Sequence, residues 1–296
     1  MAIALITGGT GFIGQPLVRA LLKKQFTVFV STRNAKQPNL IQAPKLHYIE
    51  SLHAIPQSAI DLVVNLAGMS LAEKRWNGKI KKAIIASRVE TTEQLAQFLL
   101  TRQVNTVISG SAIGWYGNTS KTSLTEEAGF VNDFNHQLCA AWEQAALPMA
   151  EHANRLILLR IGIVLDKGGA LEKMLPAFRL GLGGRLGSGQ QYWSWIHRND
   201  LIKLILWLFE NPLVAGVVNA TAPNPVSQKT FSLVLGQVLK RPTKLPMPAL
   251  VAKLIMGEFA SEVLLNGQYV IPEKALKAGF LFDYPDLHSA LVESIK

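Results

Sequence analysis

"IALITGGTGFIGQPLVRALLKK", residues 3–24, decides the fold. Ile3–Thr7 is a short apolar run of the kind that forms a strand buried on both faces. Glycines follow at positions 8, 9, 11 and 14, and then Phe12, Leu17, Val18, Leu21 and Leu22 recur at helical spacing. A strand, a glycine turn and a helix in that order form a phosphate-binding unit. The glycines let the backbone approach a pyrophosphate, and the free amides at the helix start bind its charge. Two spacings fit: G-x-G-x-x-G over Gly9, Gly11 and Gly14, or G-x-x-G-x-x-G over Gly8, Gly11 and Gly14. Either implies a dinucleotide.

The next strand, 27–32, ends in Thr32, Arg33 and Asn34. NAD sites place an acid about 20 residues beyond the turn to bond the ribose 2′-hydroxyl. No acid stands here, and Arg33 can meet a 2′-phosphate, so NADP is the expected cofactor. Further strands are expected at 46–50, 61–68, 105–111 and 155–165, with helices over about 78–101 and 132–152. Strands separated by helices imply right-handed crossovers and an α/β, Rossmann-like, doubly wound parallel sheet. Small residues ending the fourth strand, Ala67 and Gly68, allow a ligand to approach the crevice. After Leu165 glycine and proline increase, and a helix begins near 199 with Asn199 or Asp200 as its expected cap. The stretch "GVVNATAPNPVS" reads as a last strand leaving the sheet. The expected division is an NADP-binding domain over 1–221, whose crossover 166–198 contributes to the substrate side, and a small, mostly helical C-terminal domain over 222–296.

Composition narrows the function classes. The chain is 49% hydrophobic and 17% charged, which marks it as globular rather than disordered. Cys139 is its single cysteine, so neither a disulfide framework nor a cysteine-rich metal site is expected, and a cytoplasmic location is the default. No signal peptide is expected, because "IALITGG" lacks a charged region and a cleavage site before it. The longest apolar runs, "LILLRIGIVL" and "LIKLILWLF", are about half the roughly 20 residues of a spanning helix, so no membrane partner is expected. The net charge of +10 comes from scattered lysines and arginines with no nucleic-acid motif, so no nucleic acid is expected either. No His, Asp or Glu cluster has metal-ligand spacing, so no metal is expected.

Several segments together resemble the extended short-chain dehydrogenase/reductase superfamily. They include "NLAGMSLAEKRW", "SRVETT", "GSAIGWYG", "CAAWE", "RIGIVL", "FRLGLGGRLGSGQQYWSWIH" and "LLNGQYVIPEKALKAGFLFDYPDL". Within it they are similar to an atypical group labelled NAD-dependent epimerase/dehydratase-like or nucleoside-diphosphate-sugar epimerase-like, with a C-terminal domain of unassigned function. The resemblance implies that Gly8, Gly11 and Gly14, with the Phe12 and Ile13 amides, hold the pyrophosphate. It places Thr32 and Arg33 at the adenosine ribose phosphate and Leu66, Ala67 and Gly68 along the cofactor. Arg88 falls at a position that faces the cofactor, and Gly162 and Ile163 fall where backbone meets the nicotinamide amide. The implied substrate is a small molecule, with a nucleotide sugar following from the label alone, and the assembly is a monomer or homodimer.

One departure bears on chemistry. Ordinary members use a serine or threonine to orient substrate, and a tyrosine whose pKa is lowered by a lysine four residues on to move the proton. Ser111 is the serine. The helix aligned through Glu143 puts Asn135 at the tyrosine position and Cys139 at the lysine position, and no tyrosine in the chain has lysine at +4. Tyr116 is the first replacement acid, with Lys74, Arg75 or Arg88 as a charge to lower its pKa. His136, beside the lost tyrosine, reads more readily as structural or solvated, His197 as a cap or a substrate contact rather than a proton carrier, and Cys139 as a buried thiol. Two readings result. The favoured one is an NADP-dependent oxidoreductase or epimerase with Ser111 and Tyr116 as catalytic residues. The alternative is a non-catalytic NADP-binding sensor or partner-binding protein.

Overall fold

The computed structural model of the chain describes residues 2–37, 40–56, 59–71, 75–119 and 123–296. Seven strands form the central sheet: β1 (Ile3–Thr7), β2 (Thr27–Ser31), β3 (Leu46–Ile49), β4 (Ile60–Asn65), β5 (Val104–Ala112), β6 (Ala153–Ile161) and β7 (Gly216–Ala220). Their spatial order is β3-β2-β1-β4-β5-β6-β7, and every pairing is parallel. The order reverses between β1 and β4. That is the switch point where an open parallel sheet offers its ligand crevice. The expected doubly wound α/β architecture is therefore present.

Each face of the sheet is covered by helices whose buried side chains follow the 3.6-residue period. Helix α1 (Gly14–Lys23) buries Leu17, Val18 and Leu21 against Ile6, Val28 and Val30. Helix α2 (Gly78–Leu99) is capped by Asn77, whose side chain accepts from the Ile80 amide, and buries Leu95 and Leu99 on the opposite face. Helix α3 (Phe134–Ala146) is capped by Asp133 and continues as a 3-10 turn over Leu147–Glu151, where Pro148 interrupts the α-helical ladder. The expected helix 132–152 is thus an α-helix followed by a tighter turn.

Two sequence expectations are corrected. The run 155–165 is not one strand. β6 stops at Ile161 because the Gly162 amide turns to the Ala220 carbonyl and the Ile163 amide to the Ser194 carbonyl, after which Ile163–Leu165 pairs with Trp195–His197. Helix α5 (Arg198–Glu210) is capped by neither Asn199 nor Asp200. His197 caps it, its Nδ1 accepting from the Asn199 amide, while Asp200 is buried and accepts from the Asp283 and Tyr284 amides.

Beyond the sheet, α4 (Gly169–Arg179) and the crossover share one apolar core with α6 (Gln228–Leu239) and the last helix, Leu287–Ile295. Trp193, Trp195, Phe178, Phe231, Leu235 and Leu291 meet there. A short helix, α7 (Ala249–Met256), follows α6.

Asn65, at the end of β4, ties the layers together below the crevice. Its carbonyl accepts from Thr7 Oγ1 at 2.6 Å, and its amide donates to Thr92 of α2 at 2.8 Å and Ser109 of β5 at 3.2 Å. Trp142 of α3 donates to the same Thr92 hydroxyl. All five side chains are buried. Replacing Asn65 by Ala strands polar groups where water cannot reach them. A loss of about 2–4 kcal/mol in urea unfolding, with an unchanged m-value, is expected. A loss below ~1 kcal/mol would show that the hub is not needed.

Candidate active site

The glycine turn is built by close backbone contact. Gly8 has φ +70°, and a Cβ there would stand 2.6 Å from the Leu66 carbonyl oxygen. A Cβ on Gly14 would stand 2.2 Å from the Gly8 carbonyl oxygen, and the Gly11 amide donates to that oxygen at 3.0 Å. The spacing that governs the turn is therefore Gly8, Gly11 and Gly14. Gly9 faces the core instead, where a Cβ would stand 2.7 Å from the Val30 side chain. The turn leaves the Phe12 and Ile13 amides at the head of α1, where a helix has no acceptors of its own for them. Phe12 is held by two elements: Gly168 and Gly169 lie against its ring edge, and Arg198 lies 4.7 Å over the ring while pairing with Asp166 at 2.6 Å.

The other candidate cofactor residues lie along the same carboxyl edge. Thr32 and Arg33 follow β2, and Arg33 is exposed. Leu66 and Ala67 are half-buried and Gly68 is exposed, and the Leu66 amide bonds the Thr7 carbonyl. Arg88 reaches across from α2. Its guanidinium donates to the Met69 and Ile84 carbonyls at 3.1 Å, touches Gly68, and lies over the Trp142 ring at 5.2 Å. Burial holds it below its usual pKa. Gly162 and Ile163 are at the edge as well, but their amides are already committed to Ala220 and Ser194, so only their carbonyls can face a ligand.

The nominated catalytic pair is locked into the scaffold. Ser111 Oγ donates to Glu143 at 2.6 Å, and the same carboxylate receives Arg160 Nε and Nη2 at 2.9 and 3.0 Å. Ser111, Glu143 and Arg160 are all buried. Arg160 lies flat on Trp115, 3.5 Å from its ring centre, and 5.0 Å from Tyr116. Tyr116 is 0% exposed, and its hydroxyl donates to Asn219 at 2.8 Å. Burial pushes its phenol above the usual 10.0, against the pull of Arg160 and Asn219. The expectation that these two side chains meet substrate is not what the packing favours. Their polar atoms are spent on an ion pair and a hydrogen bond inside the protein.

The positions vacated by tyrosine and lysine are closed. A Cβ on Gly114 would stand 3.3 Å from both Asn135 Cβ and Cys139 Sγ, so the 3-10 turn Ile113–Tyr116 packs directly on α3 there. Asn135 donates to the Glu262 carbonyl at 2.7 Å, which ties the Ala260–Leu264 segment over this spot. His136 is stacked on Phe130 with centroids 3.7 Å apart, and its Nδ1 lies 2.5 Å from the Trp115 carbonyl. Arg75 lies against Gly257, and Lys74 lies outside the described residues. Among the described residues no group of three or more His, Cys, Asp or Glu can hold a metal ion.

The Asn65 hub and the Ser111–Glu143–Arg160 network were missed in the sequence. One signal for the second was present: Glu143 and Arg160 each interrupt an apolar run, and a charge in a buried element requires a partner.

The model of the NAD dependent epimerase/dehydratase family matches residues 4–220, and that of a domain of unknown function, DUF1731, matches residues 247–293. An epimerase family protein of Mycobacterium bovis is 37% identical over 98% of this chain and 96% of its own length. The chloroplastic epimerase family protein SDR39U1 homolog of Arabidopsis thaliana is 38% identical over 97% of this chain and 84% of its own. The crystal structure of human epimerase family protein SDR39U1 with NADPH superposes with a TM-score of 0.89 at 32% identity, covering 99% of this chain and 98% of that one.

Cys139 gives a direct test of the closed site. Burial, reinforced by the Glu143 charge, pushes its thiol up to about 12 from 9.0. The folded protein therefore holds that proton more tightly than the unfolded chain. The resulting stability is complete below pH 9.0 and is lost as pH rises through about 12. The native thiol should resist a thiol reagent at neutral pH and react only on unfolding, and Cys139→Ser should flatten the alkaline loss of stability. Rapid modification of the native protein would contradict the packing.

Proposed function

The chain belongs to the NAD dependent epimerase/dehydratase family, and on that premise we propose that it is an NADP-dependent oxidoreductase or epimerase of the extended short-chain dehydrogenase/reductase type. Its substrate is a small molecule, for which a nucleotide sugar is the class the family name suggests. The observation that carries the reading is the pairing of a glycine turn without room for a side chain at Gly8 and Gly14 with an exposed Arg33 at the exit from β2, where residues 31–36 contain no acid and the Glu50 carboxylate that reaches in from the end of β3 is engaged by the Ala35 amide. An acid at that exit would repel a 2′-phosphate, whereas an arginine there binds one. The human relative solved with NADPH supports the same choice.

In this reading Gly8, Gly11 and Gly14 with the Phe12 and Ile13 amides hold the pyrophosphate, Thr32 and Arg33 hold the 2′-phosphate, and Leu66, Ala67 and Gly68 line the ribose. Arg88 stands in for the missing lysine. It supplies a guanidinium beside Gly68, held by the Met69 and Ile84 carbonyls, although position 139 carries no cation. NADP supplies the hydride chemistry when bound. The side chains of Ser111 and Tyr116 hold the framework through Glu143 and Asn219. The single free thiol fits a reducing, cytoplasmic setting.

One observation favours the second reading, a non-catalytic NADP-binding protein: Asn135 and Cys139 are packed shut where the proton relay belongs. Two linked experiments decide. Titrating with NADPH and with NADH should show preference for NADPH, and Arg33→Ala should cost roughly tenfold or more in NADPH affinity with NADH unaffected. NADPH consumption with a panel of carbonyl compounds and nucleotide sugars should then be retained in Tyr116→Phe at temperatures where the variant is folded. Equal affinity for the two cofactors would refute the NADP assignment. Tight NADPH binding without turnover across the panel would select the sensor.

A further inference from the structure

A charge pattern unrelated to the cofactor runs through the second half of the chain. From Lys173 to Gly257 the only acids are Asp200 and Glu210, both in α5. Asp200 is buried, and Glu210 pairs with Lys24. Besides Lys173, seven cations lie in the same stretch outside α5 and its lead: Arg179, Arg185, Lys229, Lys240, Arg241, Lys244 and Lys253. Among the described residues none of the seven has an acidic partner within 4.0 Å.

The same stretch carries an apolar surface that the body of the protein leaves uncovered. In α7 only Ala252 is buried, while Leu250 is 79% and Leu254 73% exposed, and Val251 and Ile255 are exposed beside them. Leu245, just ahead of α7, is exposed too. The surface extends sideways. The Met247 amide donates to the Arg185 carbonyl, the Gly187 amide donates to the Met247 carbonyl, and Gly181 lies against Pro242. That packing brings exposed Leu180 and Leu182 alongside. Arg185, Lys229 and Lys244 converge there on a depression of about 210 Å³, with Leu233 in its wall. A helix that turns its leucines outward under a rim of cations has the composition of an interfacial helix.

The occupant follows from the chemistry. A second copy docking face to face would set these cations against the same cations. A protein partner of ordinary kind is read through tryptophan and tyrosine anchors, and α7 and its lead contain neither. Nucleic acid would use the cations but leave the leucines in water. A surface of anionic headgroups over hydrocarbon satisfies both sets at once. We infer that this face seats the protein reversibly on an anionic lipid surface, with Leu250, Leu254 and Ile255 entering the acyl boundary and Arg241, Lys244 and Lys253 meeting the phosphates. This needs no spanning segment, and among the described residues no helix is long and apolar enough to cross a membrane. The sequence expectation of no membrane partner rested on spanning length alone and is narrowed to that. Helix α7 ends where Gly257 bridges to Trp76 at the start of α2, so the seat adjoins the substrate side of the crevice.

Flotation of the whole chain with vesicles tests this. One set is phosphatidylcholine alone, and the other holds an equal share of phosphatidylglycerol. The protein should float with the anionic vesicles, stay behind with the neutral ones, and be released by salt. Leu250→Ser with Leu254→Ser should lower partitioning roughly tenfold or more, with an unchanged melting curve as the control for folding. Arg241→Gln with Lys244→Gln should weaken binding and flatten its salt dependence. Failure to float at low salt would overturn the proposal. So would flotation that the leucine changes leave intact. Equal retention on poly-glutamate, indifferent to the leucines, would assign the face to acidic proteins instead.

Discussion

The Gly8 carbonyl oxygen is where β1 and α1 meet most directly at the crevice. It accepts the Gly11 amide, and it occupies the space that a Gly14 side chain would need. The same residue lets the Leu66 carbonyl pass on its other side. Because three backbones meet at that point, β1, β4 and α1 can take only one relative position. The edge from Arg33 to Gly68 is fixed with them, and Asn65 locks the arrangement from below. A cofactor-binding edge assembled from main chain is insensitive to most side-chain changes, which suits a fold shared by chains of low identity.

A second constraint sits under the other half of the crevice. The Arg160–Glu143 pair, with Ser111 as third member, fastens α3 to β5 and β6 inside an apolar surround. Burial works against the Arg160 charge, yet the hydrogen bonds and charge of Glu143 hold its guanidinium above its usual pKa. Removing either partner would leave an uncompensated charge, which costs about 3–5 kcal/mol. This network engages the Ser111 hydroxyl, and beside it the Ile113–Tyr116 turn settles on Asn135 and Cys139. The absent tyrosine and lysine are therefore one structural fact rather than two. Their room has been given to backbone.

The sheet and the turn were legible because their signals are local. A strand, glycines and a helix within residues 3–24 specify a crossing point, and the parallel order follows from connection rules. The break at Gly162 was not legible, since it depends on Ala220 and Ser194, which lie far along the chain. The cap of α5 was misread for a similar reason. Asp200 looked like a capping residue, but the Asp283 and Tyr284 amides claim it. The burial of Tyr116 and Ser111 was invisible in the sequence. The sequence shows which residues stand near a crevice, and it does not show which of them point into the core.

In the proposed reading NADP lies across the turn, the β2 exit and the β4 exit while α3 keeps its sealed packing. Hydrogen–deuterium exchange of the whole chain with and without NADPH tests it most directly. Protection is predicted in peptides covering Gly8–Gly14, Thr32–Arg33 and Leu66–Gly68, with little change over Asn135–Cys139. Binding that leaves the glycine turn unprotected, or that protects α3 in its place, would contradict the account.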